Sequence, residues 1–153
     1  MKQQILKYLR SQHLMSLATT KNNKPWSNTA YFAIDNDLNL FFVSPPDADH
    51  SKYLSKNKYI ACSIYDSRQK VNSQKEGLQL KGTVKVITSV PEIKKALRLW
   101  NQANPGAEKF INYDNMVKKV ISSKIYKIKP SLFKYFNEAL YGDKETKTYK
   151  PSR

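Results

Sequence analysis

Residues 41–52, FFVSPPDADHSK, gather the side chains best suited to holding an anion. An apolar run turns through Pro45 and Pro46 into a short helical stretch whose first turn carries His50, Ser51 and Lys52. Unpaired backbone N–H groups and the positive end of the dipole meet at a helix start, so donors and a cation placed there suit a phosphate. The plainer alternative is an ordinary surface helix with Asp47 as its N-cap. Asp47, Asp49 and His50 read as a solvated cap rather than a cation site, and no metal is expected.

The usual catalytic constellations are missing. The chain has two histidines, His13 and His50, and four glycines at positions 77, 82, 106 and 142. It carries no HExxH, CxxC, glycine-rich phosphate loop or serine nucleophile elbow. If such a chain is an enzyme, a bound cofactor is expected to carry the chemistry.

The elements that must position these residues follow from apolar periodicity. Residues 2–10 form an amphipathic helix with Ile5, Leu6 and Leu9 on one face. The period then changes to that of strands over 14–20, 26–35 and 38–44, separated by turn residues at 22–25 and 35–37. A short helix near 51–56 precedes a strand at 59–66. A polar stretch over 67–76 leads to a long strand at 78–87, where Gly82 marks a bulge, a corner or a close approach. Helices are expected at 91–101 and 107–120, then a strand at 124–129 ended by Pro130, and a further strand over 132–137. Residues 144–153 are basic and polar and are expected to form a mobile tail. The set predicts a mainly β fold with flanking helices, a small closed or partly split antiparallel barrel.

At 153 residues the chain reads as one domain, 1–153, with an N-terminal helix over 1–12 and a helical insertion over 91–120. Its single cysteine, Cys62, excludes a disulfide framework and lies in an apolar run as a buried thiol. There is no signal-peptide pattern and no apolar run of about 20 residues, so a soluble cytoplasmic protein is expected, with no membrane partner. The formal charge of +15 comes mostly from scattered lysines, with arginine only at positions 10, 68, 98 and 153. Lysines so dispersed draw in small anions, whereas base and phosphate recognition prefers arginine. Specific nucleic-acid binding is not expected.

The order of elements, with FFVSPPDADHSKYLSKNKYIACSIYD followed by EGLQLKGTVKVI, resembles the FMN-binding split-barrel family related to pyridoxamine 5'-phosphate oxidase. The likeness runs over about 14–87 and returns in YKIKPSLFKYFNEALYG. It implies a homodimer with FMN in a groove at the subunit interface, acting as an oxidoreductase on an unidentified small substrate. Carried over by position, Asn28, Thr29 and Ala30 would run beside the isoalloxazine ring, Ser44, His50, Ser51 and Lys52 would hold the phosphate, and Gln79 would touch the flavin edge. Asn137 and Gly142 either approach the flavin from the partner or form a plain turn. Trp26 and Trp100 read as packing residues. Asp49 stands where the family usually carries arginine, and the C-terminal YKPSR lacks the arginine- and histidine-bearing segment of the true vitamin B6 oxidase, so that reaction is not expected. Two rival readings remain: a flavin-free binding or structural module, or a barrel for another cofactor such as deazaflavin or haem.

Overall fold

The computed structural model describes residues 1–152. Strands β1 (Leu14–Lys21), β2 (Lys24–Ile34), β3 (Leu40–Ser44), β4 (Tyr59–Tyr65), β5 (Glu76–Val86), β6 (Lys124–Asn137) and β7 (Thr146–Tyr149) form one antiparallel sheet in the order β3-β2-β1-β4-β5-β6-β7. A further ladder between β3 and β6 closes the first six strands into a barrel. Among the described residues five α-helices flank it: α1 (Lys2–Arg10), α2 (Asp49–Leu54), α3 (Val90–Ala103), α4 (Tyr113–Val117) and α5 (Glu138–Tyr141). None of the described helices is long and apolar enough to cross a membrane.

Alternation along each strand decides what the barrel encloses. Met15 and Leu17 of β1, Phe32 of β2, Phe42 of β3, Cys62 and Ile64 of β4, and Leu78 and Leu80 of β5 all join one core, which α1 completes with Ile5, Leu6 and Leu9. Tyr8 of α1 donates to the carbonyls of Ile64 and Glu76, fixing the helix to the ends of β4 and β5. Cys62 lies against the Met15 sulfur, and burial pushes its thiol up to about 12, as expected for a buried thiol.

A second core lies outside the barrel. Phe41 and Ile125, on the outer faces of β3 and β6, pack with Ile87 and with Ala96 and Leu97 of α3. Trp100 is buried and donates its indole N–H to the Tyr31 carbonyl, in keeping with a packing role.

β6 is the spine of the molecule and differs from expectation. It runs unbroken through Pro130 instead of ending there, so 124–129 and 132–137 are one strand. One edge pairs with β5 throughout, while the other is shared, residues 124–128 with β3 and 133–136 with β7. Pro130 falls in the gap between those partners, where its missing N–H costs no ladder bond. Here is the split in the barrel. The register shifts beside it: Lys81 pairs with Leu132 and Gly82 with Pro130, leaving Ser131 as the extra residue of a bulge.

Other expectations are corrected by local chemistry. The supposed mobile tail contains β7, paired to Phe133–Phe136 positions of β6, while Arg153 lies outside the described residues. The helix expected over 107–120 shrinks to α4, because Asn112 caps it through its side chain and turns occupy the residues before it. Asp47 does not cap α2; the N-cap is Ala48, with no side-chain hydrogen bond.

Candidate cofactor site

Strand pairing lays two parallel rows across the outer face of five strands. One row is Thr29 on β2, Ser16 on β1, Ser63 on β4, Gln79 on β5 and Lys134 on β6. The next is Ser27, Ala18, Ala61, Lys81 and Leu132 in the same strand order. Strand positions usually carry branched or aromatic side chains that cover the backbone. Serine and alanine at 16, 18, 61 and 63 instead leave the middle of the sheet low, and a cavity of about 460 Å³ opens over these rows. Exposed Leu14, Tyr31 and Tyr65 rise along one side of this trough. Gln79 and Lys81 of β5 and Lys134 of β6 line its β5–β6 end.

A second cluster surrounds α2. The Ser44 hydroxyl, at the end of β3, lies 2.6 Å from Nε2 of His50, and the imidazole packs near Phe42 with ring centroids 6.3 Å apart. That bond commits Nε2, so Nδ1 is the ring nitrogen left for a ligand. Burial lowers the His50 pKa, with Asp49 pulling weakly the other way, so at neutral pH the ring is a hydrogen-bonding group and not a cation. Ser51 is buried and its hydroxyl has no partner; Oδ1 of Asn28 is likewise buried and unpaired. Lys52 and Asp49 are exposed, and neither makes an ion pair among the described residues. With six residues, α2 is too short for its dipole to add much, so any anion there depends on side chains.

The eight residues singled out from sequence therefore divide. Gln79 lines the trough, and Thr29 is exposed on the same row. Asn28 and Ala30 pair with Leu17 and Met15 and so share the inner face of the sheet. Ser44 and His50 meet directly, Ser51 is buried beside them in α2, and Lys52 faces solvent. Asn137 is fully engaged within its own barrel: it caps α5 at Leu140 and donates to Glu76 and the Tyr135 hydroxyl. Gly142 caps the end of α5 and opens a short 3-10 helix over Gly142–Lys144, with φ +56°. Trp26 departs from the packing role expected of it, being 43% exposed with its ring 6.5 Å from Tyr53 of α2. The small residues Ser16, Ala18, Ala61 and Ser63 were not singled out, although S-x-A and A-x-S within apolar strand patterns are a readable sign of a low surface. Among the described residues, no three His, Cys, Asp or Glu side chains come together as a metal site.

The Pyridoxamine 5'-phosphate oxidase family model matches residues 1–131. The chain belongs to the pyridoxamine 5'-phosphate oxidase family. Within it, the chain is similar to a UPF0306 protein of Pasteurella multocida (strain Pm70), 31% identical over 83 residues that cover 54% of this chain and 55% of that protein. The chain thus spans about half the length of the curated relative it matches. Solved structures share the fold. A heme binding protein from Mycobacterium smegmatis superposes with a TM-score of 0.75 at 14% identity, covering 98% of this chain and 57% of that one. HutZ, the heme storage protein from Vibrio cholerae, gives 0.64 at 13% identity, covering 83% and 88%. The split barrel of a pyridoxamine 5'-phosphate oxidase family member is the fold these residues build.

The neutral state of His50 has a consequence for stability. Its folded pKa lies below the unfolded imidazole value of about 6.5, so the unfolded chain binds the extra proton first on acidification. The contribution is present in full above that value and is lost as pH falls through the folded pKa. Unfolding midpoints measured by circular dichroism are expected to decline from pH 7 towards pH 5, and less steeply in His50→Gln.

Proposed function

We propose that this chain is an FMN-dependent oxidoreductase that works as a two-fold dimer, with the isoalloxazine ring in the trough formed by β1, β4 and β5. The observation that carries the reading is the floor of small residues at 16, 18, 61 and 63, which lets a flat ring approach the sheet. The rim supports the dimer: Leu14, Tyr31 and Tyr65 are exposed together beside the trough, and contiguous apolar surface of this kind marks an interface. Bound flavin would supply hydride exchange at its N5 atom. The chain's own residues position and polarise: Ser16, Ser63 and Gln79 offer hydrogen bonds, and Lys81 and Lys134 offer positive charge to an electron-rich ring edge.

The phosphate end is assigned to His50, Ser51 and Lys52, with Ser44 orienting the imidazole through Nε2. Two buried atoms without partners, Ser51 Oγ and Asn28 Oδ1, support a polar ligand nearby, since an unpaired buried polar group costs roughly 1–3 kcal/mol. Haem is the second reading, favoured by the two haem proteins that share the fold. It fits the side chains less well. His13 is bonded through Nδ1 to the Ala103 carbonyl, His50 is bonded to Ser44, and neither lines the trough, so no histidine stands ready as an axial ligand there.

The absorbance spectrum of freshly purified protein separates these readings: flavin bands are expected, a Soret band would favour haem, and a colourless sample that takes up no FMN would favour a binding module. Light scattering is expected to give the mass of a dimer. Lys52→Ala removes a charge-assisted contact worth about 1.5–3 kcal/mol, so FMN affinity by fluorescence titration is expected to fall about ten- to a hundredfold. Asp49→Arg should raise it, by replacing a charge that repels phosphate. Unchanged affinity in both would put the phosphate elsewhere.

A further inference from the structure

A separate cavity of about 1260 Å³ lies over the split in the barrel, and its lining is strongly one-signed. Six lysines face it, Lys58, Lys81, Lys85, Lys127, Lys129 and Lys150, against a single carboxylate, Asp37. The sheet itself forces some of them together. Lys85 pairs directly with Lys127, so like charges oppose each other across the strands there, and Lys129, opposite Thr83, lies on the same outer face. Such pairs destabilise a sheet unless something neutralises them. Glu92 of α3 does so in part, holding Lys127 at 2.8 Å. Among the described residues the other five lysines have no ion pair.

We propose that this groove is a binding site for a small ligand bearing several consecutive phosphates, such as inorganic tripolyphosphate or the triphosphate of a nucleotide. Lysine is a point charge without a fixed hydrogen-bonding plane, which suits a dense run of phosphate oxygens more than a planar carboxylate or a base edge. The cavity is lined by β6, by the ends of β4 and β5, by Asp37 and Asn39 between β2 and β3, and by Lys150, Pro151 and Ser152 following β7. It contains one aromatic ring, Tyr59, with the Lys58 ammonium 5.8 Å from its centroid, and so lacks the series of stacking platforms that single-stranded nucleic acid uses. A short polyanion fits; a polymer does not. The site does not depend on flavin in the trough, with which it shares only Lys81.

Calorimetric titration of the full chain with tripolyphosphate near physiological ionic strength tests this, since screening there weakens diffuse attraction more than a built site. Expected are one saturable site, competition by ATP and none by adenosine. The double variant Lys85→Ala/Lys129→Ala should lose at least about tenfold in affinity. The control Lys7→Ala/Lys118→Ala makes the same change in net charge at exposed positions away from the groove and should bind within about twofold of the native chain. Equal losses in both double variants would mean a diffuse field and overturn the proposal. So would orthophosphate binding as tightly as tripolyphosphate, absence of saturable heat at millimolar ligand, or displacement of tripolyphosphate by a single-stranded oligonucleotide of higher affinity.

Discussion

Ala61→Trp is expected to abolish FMN binding while leaving the barrel folded. Ala61 stands in the middle of the trough floor, between Ala18 on β1 and Lys81 on β5, with its side chain on the outer face. An indole there would occupy much of a cavity of about 460 Å³ and lift any flat ring off the sheet. The fold itself has little to lose, because the position is exposed and strands accept aromatic residues. The affinity loss should be a hundredfold or more, about 2.7 kcal/mol, measured by flavin fluorescence titration beside far-ultraviolet circular dichroism. Native affinity in a folded Ala61→Trp protein would remove the ring from the trough. Because the same face is proposed to meet a second subunit, the variant's mass by light scattering shows whether the dimer is lost as well.

Among the four glycines, Gly82 is the one whose replacement by alanine is expected to clash with its surroundings. A Cβ at this position would lie 2.4 Å from the Lys129 carbonyl oxygen and 2.8 Å from Cα of Pro130. Both atoms are backbone, held by the β5–β6 ladder on either side of the bulge, so neither gives way without moving the ladder. The need for glycine is thus one of close approach between two strands. Overpacking of this kind costs about 1–3 kcal/mol, which for a domain of this size lowers the thermal midpoint by several degrees. A thermal melt unchanged within a degree would mean that β6 crosses β5 less tightly here.

Much of this architecture was legible in the residues, and what was not has physical causes. The alternation at 14–20, 59–66 and 78–87 marks inward positions because each of these strands buries one face in the barrel. The glycine at 82 announces a close approach, and the strand crossing found there is that approach. Pro130 misleads, because a missing N–H ends a strand only where a partner would have used it, and β6 lacks a partner on that edge at that point. β7 is hidden because TKTY carries no apolar alternation; its hold on β6 comes from backbone pairing and the Tyr149 ring 6.4 Å from Phe133. The proposed phosphate end was visible as residue types, His50, Ser51 and Lys52, but not as geometry: no pattern tells that Ser44 holds the imidazole or that Ser51 is buried. The trough was missed for the opposite reason. Small residues attract no notice one at a time, and their meaning appears only when pairing brings 16, 18, 61 and 63 side by side.

The sharing of β6 between β3 and β7 also bears on how the chain reaches this state. The ladder that closes the barrel joins Leu40–Ser44 to residues 124–128, with two of the barrel strands, β4 and β5, and the whole helical excursion lying between them along the chain. Contacts so distant in sequence are slow to form, because the entropy of closing the intervening loop is spent before the contact rewards it. Until they form, β3 and the first half of β6 are open edges of apolar strands, the kind that pair with other chains. Closure of this one seam is therefore expected to limit the folding rate, and the interval before it is when the chain is most exposed to aggregation.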